Sequence, residues 1–254
     1  MKHTKFTLCS IALLGMTSQA HSAVISWQSS VDMYQGSTVE TFVDTTGTVA
    51  VAYNNTTDTT SGNTAVSVNG VAFTPQNTGT ALIGSGGESI TINGGTDNEG
   101  AFGDGDFSSN GSIYHLIRGA TYNVTSIDLG GLTVGHTYLI QSFNHDGRSS
   151  RHNNFITGYD GSTAGPVGES QLSNYDNALS SGARVGDSII GTFVADSATQ
   201  VINIFGSNNG GTSWGAGNSQ SQINAVQLRT IAVPEPSSAL LALLGLSFGF
   251  RRSR

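Results

Sequence analysis

Between Val24 and Arg229 the apolar residues come only in short runs, alternating with polar ones or mixed over four to eight positions, and clusters of Gly, Asn, Asp and Ser separate them. A period of two puts every second side chain on one face of an extended chain, which suits a half-buried strand and denies a helix its apolar stripe. Composition pushes the same way. The 34 glycines and the long Asn/Ser/Thr stretches are poor helix formers and good turn residues, while hydrophobic content is 37% and charge only 11%. The pattern predicts strands over 39–44, 48–53, 65–68, 71–74, 89–93, 123–129, 137–145, 154–159, 188–195, 200–205 and 223–229. Asn69-Gly70 between two of them is the strongest turn signal, because a type I′ hairpin needs positive φ at both central positions. Ile113, Leu116, Ile117 and Ala120 follow helical spacing instead, which predicts a short helix over 112–119 plugging one end. The expected fold is all-β: an antiparallel β-sandwich of the jelly-roll kind, in two packed sheets.

Both ends of the chain read as addresses. Residues 1–20 carry a basic start (Lys2, Lys5), an apolar run and small residues before a cut after Ala20, the three parts of a secretory signal peptide. At the other end Val233-Pro234-Glu235-Pro236 leads into an apolar run from Ala239 to Phe250, stopped by Arg251, Arg252 and Arg254. A basic stop after a greasy helix places the arginines inside and the body outside. The run rises only about 18–21 Å against a hydrocarbon core of roughly 30 Å, which suits transient anchoring better than a permanent span. The division is therefore a signal peptide at 1–20, one β-sandwich domain at 21–232 and a sorting and anchor segment at 233–254.

The exported body is strongly acidic, with five arginines, no lysine and sixteen carboxylates between residues 21 and 233, a balance of −11. Phosphate binding needs clustered cations, so nucleic acid is excluded as a partner. The single cysteine, Cys9, falls inside the signal, and the body contains no disulfide.

The order of parts at the C-terminus resembles the PEP-CTERM sorting domain of Gram-negative bacteria that make extracellular polysaccharide, a tail sometimes labelled an ice-binding protein C-terminal domain. The resemblance rests on Val233-Pro234-Glu235-Pro236, the short helix and the arginine end. It implies an exosortase-type enzyme that cuts near the motif, passage through the inner membrane with transient anchoring there, and delivery to the cell surface or extracellular matrix. More loosely, 68–73, 131–138 and 223–229 look like pieces of secreted galactose-binding-like or malectin-like jelly rolls, folds that often hold carbohydrate.

Three segments of the body carry chemistry. Asp97, Glu99, Asp104 and Asp106 put four carboxylates among three glycines within 97–106, the oxygen-rich chemistry a calcium ion wants, although the spacing is not that of an EF-hand and a solvated acidic loop is the plainer reading. His145, Asp146 and Arg148 gather polar groups at a strand end, where they could meet a ligand or serve acid–base chemistry; a hydrogen-bonded turn is the alternative. Trp214 lies in a polar Gly/Asn loop, as a sugar-stacking platform or as a cap folded onto the sandwich. No Gly-x-Ser-x-Gly elbow stands at a strand-to-helix turn and no other catalytic set stands out, and calcium is the only cofactor suggested. The leading expectation is a non-enzymatic surface or matrix protein that binds extracellular polysaccharide. The alternatives are an exported carbohydrate-active hydrolase or lyase and a structural envelope or ice-type surface-adsorbing protein.

Overall fold

The computed structural model describes residues 23–33, 41–55, 65–98, 112–145, 156–160, 171–173, 186–207, 214–216 and 221–232. One sheet contains β1 (Ser26–Trp27), β2 (Val31–Met33), β3 (Thr48–Asn55), β4 (Val66–Val68) and β5 (Val71–Gln76). Its remaining strands are β9 (Thr137–Asn144), β12 (Gly186–Val194) and β16 (Ala225–Ile231). The other sheet contains β6 (Leu82–Ile83), β7 (Ser89–Asn98), β8 (Ala120–Gly130), β10 (Ile156–Asp160) and β11 (Gln171–Ser173), with β13 (Gln200–Ser207), β14 (Trp214–Ala216) and β15 (Gln222–Ile223). A single short helix, α1 (Ser112–Ile117), is the one helix among the described residues.

The first sheet runs β1-β12-β9-β16-β3-β5-β4, with β2 also on β12, and the second runs β11-β10-β13-β8-β7-β6, with β14 on β13 and β15 on β8. The two pack as a sandwich. Their inner faces share one core of Val51, Tyr53, Tyr138, Ile140, Ile189, Val226 and Leu228 from the first sheet and Ile90, Ile92, Ile127, Leu129, Ile202 and Ile204 from the second. Trp27 packs against this core. A Cβ at Gly191 would stand 2.6 Å from Ile25 and 2.7 Å from the Trp27 ring, so only glycine lets β1 lie this close on β12.

The pairing is antiparallel except between β3 and β5, which run parallel with Tyr53 opposite Thr74. Alternation alone does not distinguish parallel from antiparallel neighbours, so this pair departs from the purely antiparallel sheets expected. Asn69 and Gly70 do take positive φ, 49° and 74°, and turn β4 into β5. The stretch 41–44, expected as the end of a strand, is a turn instead. Its backbone hydrogen-bonds outward to side chains of the first sheet: Gln141 Nε2 donates to Phe42 O, Gln227 Nε2 to Asp44 O, and the Arg229 guanidinium to Thr45, Thr46 and Gly47 carbonyls. These bonds satisfy backbone groups that a strand would have paired with a neighbour.

The helix lies where its spacing predicts and packs against the first sheet. Ile113, Leu116 and Ile117 join Phe73, Val68 and Phe143 in a second core on the outer face of the first sheet. The signal and anchor residues Ala20, Val233, Pro234, Glu235, Pro236, Arg251, Arg252 and Arg254 lie outside the described residues. Among the described ones no helix is long and apolar enough to cross a membrane.

Register gives the sandwich two unlike poles. At one, the ends of β3, β7, β9 and β13 meet the starts of β8, β12 and β16, since Asn54 faces Ala225, Asn98 faces Ala120 and Asp187 faces Asn144. At the other, Ile231 faces Thr137 and Val194 faces Thr137 from the opposite side, so the chain leaves toward residue 232 there.

Candidate functional site

The pole where β3, β7 and β9 end collects the described residues that the sequence singled out. Asp97, next to last in β7, stands opposite Thr121 of β8. Its Oδ1 accepts from Asn55 Nδ2 at 2.9 Å, from Thr121 Oγ1 at 2.9 Å and from the Thr78 hydroxyl, while Oδ2 accepts from Thr78 N at 3.1 Å. Asn55 also donates to Thr121 Oγ1 at 2.8 Å, which joins the two sheets through side chains. A carboxylate has about four lone-pair positions, and here most are taken by protein donors. Asp97 therefore pins the 77–79 turn to both sheets and has little left to give a calcium ion. Among the described residues no group of three or more His, Cys, Asp or Glu could hold a metal ion. Glu99, Asp104 and Asp106 lie outside them.

Tyr53 sits under this cluster, fully buried. Burial pushes its phenol up to about 12 and the Asp97 charge adds to that, against the opposing pull of the Thr121, Thr78 and Asn55 groups. The phenol is neutral at any ordinary pH and acts as a packing group, not as an acid or base.

His145 directly follows β9 and is fully buried. Its backbone N–H donates to Asn224 Oδ1 at 2.7 Å, and its carbonyl accepts from Gln222 Nε2. Asn224 is the hub of this node, since its Nδ2 donates to Ile117 O at 2.6 Å and Gly119 O at 2.9 Å, capping the end of α1. Asn144 Nδ2 donates to Gln222 O at 3.1 Å alongside. A ligand reaching the His145 ring would have to displace protein. Asp146 and Arg148 lie outside the described residues. Trp214 is placed at backbone level, opposite Ser207 at the start of β14.

The pole thus brings the Asp97 carboxylate and the His145 backbone into one polar scaffold joined through the Asn55 N–H to Asn224 O bond of 3.1 Å. What sequence reasoning missed was Asn55, Thr121, Gln222 and Asn224. Each is an ordinary polar residue in a strand pattern, and only their burial reveals them.

No family model matches the chain, and no curated protein matches it. Among solved structures, a Bacteroides uniformis beta-glucuronidase aligns at 16% identity and a TM-score of 0.43, over 72% of this chain and 18% of that one. A calcium-binding mutant of Bacteroides uniformis beta-glucuronidase 2 aligns at 15% identity and a TM-score of 0.44, and the same enzyme covalently bound to cyclophellitol-6-carboxylate aziridine at 16% and 0.44. This chain spans 18% of the length of each of those chains.

Proposed function

We propose that this chain is an exported, non-enzymatic protein of the cell surface or matrix, sorted by its C-terminal tail, whose β-sandwich binds extracellular polysaccharide. The observation that carries the reading is the separation of the poles. β16 delivers the chain to residue 232 at the pole opposite the one where β7, β9 and β13 end, so a body tethered through 233–254 turns that pole outward. An acidic body with no lysine suits a polyhydroxylated partner better than an anionic one.

Two measurements test this. Replacing Pro234-Glu235-Pro236 by alanines should abolish tail processing by the exosortase-type enzyme and leave the protein in the inner membrane with its fold intact; normal processing refutes the sorting step. The full chain, purified in mild detergent, should bind a polysaccharide in a panel that includes the host's own exopolymer, with calcium present or chelated. Binding to none of them refutes the carbohydrate reading.

A further inference from the structure

The second sheet has an outer face of a kind the first lacks. With Ile90, Ile92, Ile127, Leu129, Ile202 and Ile204 turned into the core, alternation turns the residues between them outward. Register aligns these across the strands. Asn93 of β7 faces Ser126 of β8, and Ser126 faces Asn203 of β13. One row along, Thr91 faces Asp128 and Asp128 faces Val201. These side chains are partly exposed, and Val201 is 42% exposed. They are also ordered among themselves: Asn93 Nδ2 donates to Ser126 Oγ at 3.1 Å, and Ser126 Oγ donates to Asp128 Oδ1 at 2.7 Å. Phe205, half-buried on the same face of β13, adds an aromatic edge, and β14, which carries Trp214, extends the sheet beside it.

Charge narrows what such a surface accepts. The eight strands of this sheet contain Asp97, Asp128 and Asp160 and not one Lys, Arg or His. On the outer face itself stands Asp128, with no cation in the described strands of the sheet to offset it, so an anionic polymer is disfavoured here. An uncharged polyhydroxylated chain meets amide, hydroxyl and carboxylate groups repeating at the strand spacing of about 4.8 Å, close to the rise of one sugar unit in an extended glycan. Amides and carboxylates both take sugar hydroxyls as hydrogen-bond partners, and a fixed relay loses little rotamer freedom on binding.

We infer that the outer face of the second sheet, centred on the Asn93–Ser126–Asn203 row, is the platform on which an uncharged polysaccharide lies across the strands. This rests on the carbohydrate reading above and gives it a surface and a ligand class. The test uses the full chain in mild detergent against xylan, galactomannan and a mixed-linkage β-glucan, with polygalacturonate and alginate as anionic polymers, all in chelator. Binding to at least one neutral polymer is expected, with none to the anionic pair. Ser126→Arg, which plants a long side chain in the middle of the row, should weaken it by at least about tenfold with an unchanged melting temperature. Val201→Arg, at a more exposed position in the next row, should weaken it in the same direction and serves if Ser126→Arg does not fold. Neutral binding that survives in the folded variant within about twofold overturns the platform and leaves the carbohydrate reading standing. Binding confined to the anionic polymers overturns the ligand class. Binding to no polymer overturns the platform, and the carbohydrate reading with it if the host's own exopolymer also fails to bind with calcium present.

Discussion

The two sheets share a core, yet their outer faces are opposites. Outside the first sheet, Phe143, Ala225 and Ala52 are buried under α1 and the β4–β5 hairpin, and Gln141, Gln227 and Arg229 under the turn at 42–47. Outside the second, Thr91, Asn93, Ser126, Asp128 and Asn203 remain partly open. The difference shows in the strands themselves. β9 is buried at seven consecutive positions because both its faces are covered, whereas β13 alternates buried with exposed or half-exposed residues from Gln200 to Gly206. The covered face spends its polar side chains on holding the chain over it. The open face holds nothing over it of that kind, and its Asn93, Ser126 and Asp128 bond to one another while staying partly exposed.

Truncation on each face should break the symmetry most sharply. Phe143 packs edge-on against Phe73 at 5.7 Å and Phe42 at 6.2 Å. Phe143→Ala should therefore cost about 3–5 kcal/mol in chemical denaturation, and Phe205→Ala on the open face less than about 1 kcal/mol. Equal costs would mean that the second sheet is covered as well. Next in size is Asn224→Asp, which keeps shape but sets a carboxylate oxygen against the carbonyls of Ile117 and Gly119. A loss of about 3 kcal/mol is expected, with the helical signal of α1 the first to go. An unchanged stability would show that α1 holds its place without this hub.

Between the faces stands Tyr53, whose burial predicts a response to alkali. Its folded pKa, about 12, exceeds the unfolded value of 10.0, so the native state holds the proton more tightly. The associated stability is complete below pH 10 and is lost as pH rises toward about 12, a total of between roughly 2 and 3 kcal/mol. Denaturation midpoints measured across that window should fall for the native protein and fall less for Tyr53→Phe. Parallel profiles would place the phenol in contact with water.

This division of the molecule was partly legible before any coordinates. Alternation marked β7, β8, β10 and β13 of the second sheet, and Asn69-Gly70 marked the β4–β5 hairpin of the first, because both are local rules that the chain obeys within a few residues; the two- and three-residue strands β6, β11 and β14 are too short to show a period. The stretch 41–44 reads as the end of a strand in the sequence because Phe42 and Val43 look like strand residues, yet it is a turn. Phe42 O accepts from Gln141 and Val43 O from Asn69, while Asp44 to Gly47 bond to Gln227 and Arg229, and no local pattern carries partners that far along the chain. Asp97 was singled out for its charge, yet what decides its role is Thr78, Thr121 and Asn55, brought together only by the sheet register. The platform row was equally invisible, since Asn93, Ser126 and Asn203 align only once three strands are paired.

The smallest expected effect is the most exacting test of the open face. Ser126→Ala removes the hydroxyl that accepts from Asn93 and donates to Asp128, yet all three side chains are partly exposed, so water can replace both bonds. Stability should move by no more than about 0.5 kcal/mol. Affinity for a neutral glycan should drop several-fold, on the order of 1 kcal/mol, because Asn93 and Asp128 lose the fixed orientation that spares a ligand the cost of ordering them. A stability loss well above 1 kcal/mol, of the size expected for a buried hydrogen bond, would show that the relay holds the second sheet together as the Gln141–Gln227–Arg229 ladder holds the first. The two outer faces would then differ in how much they expose and not in what their polar side chains are for.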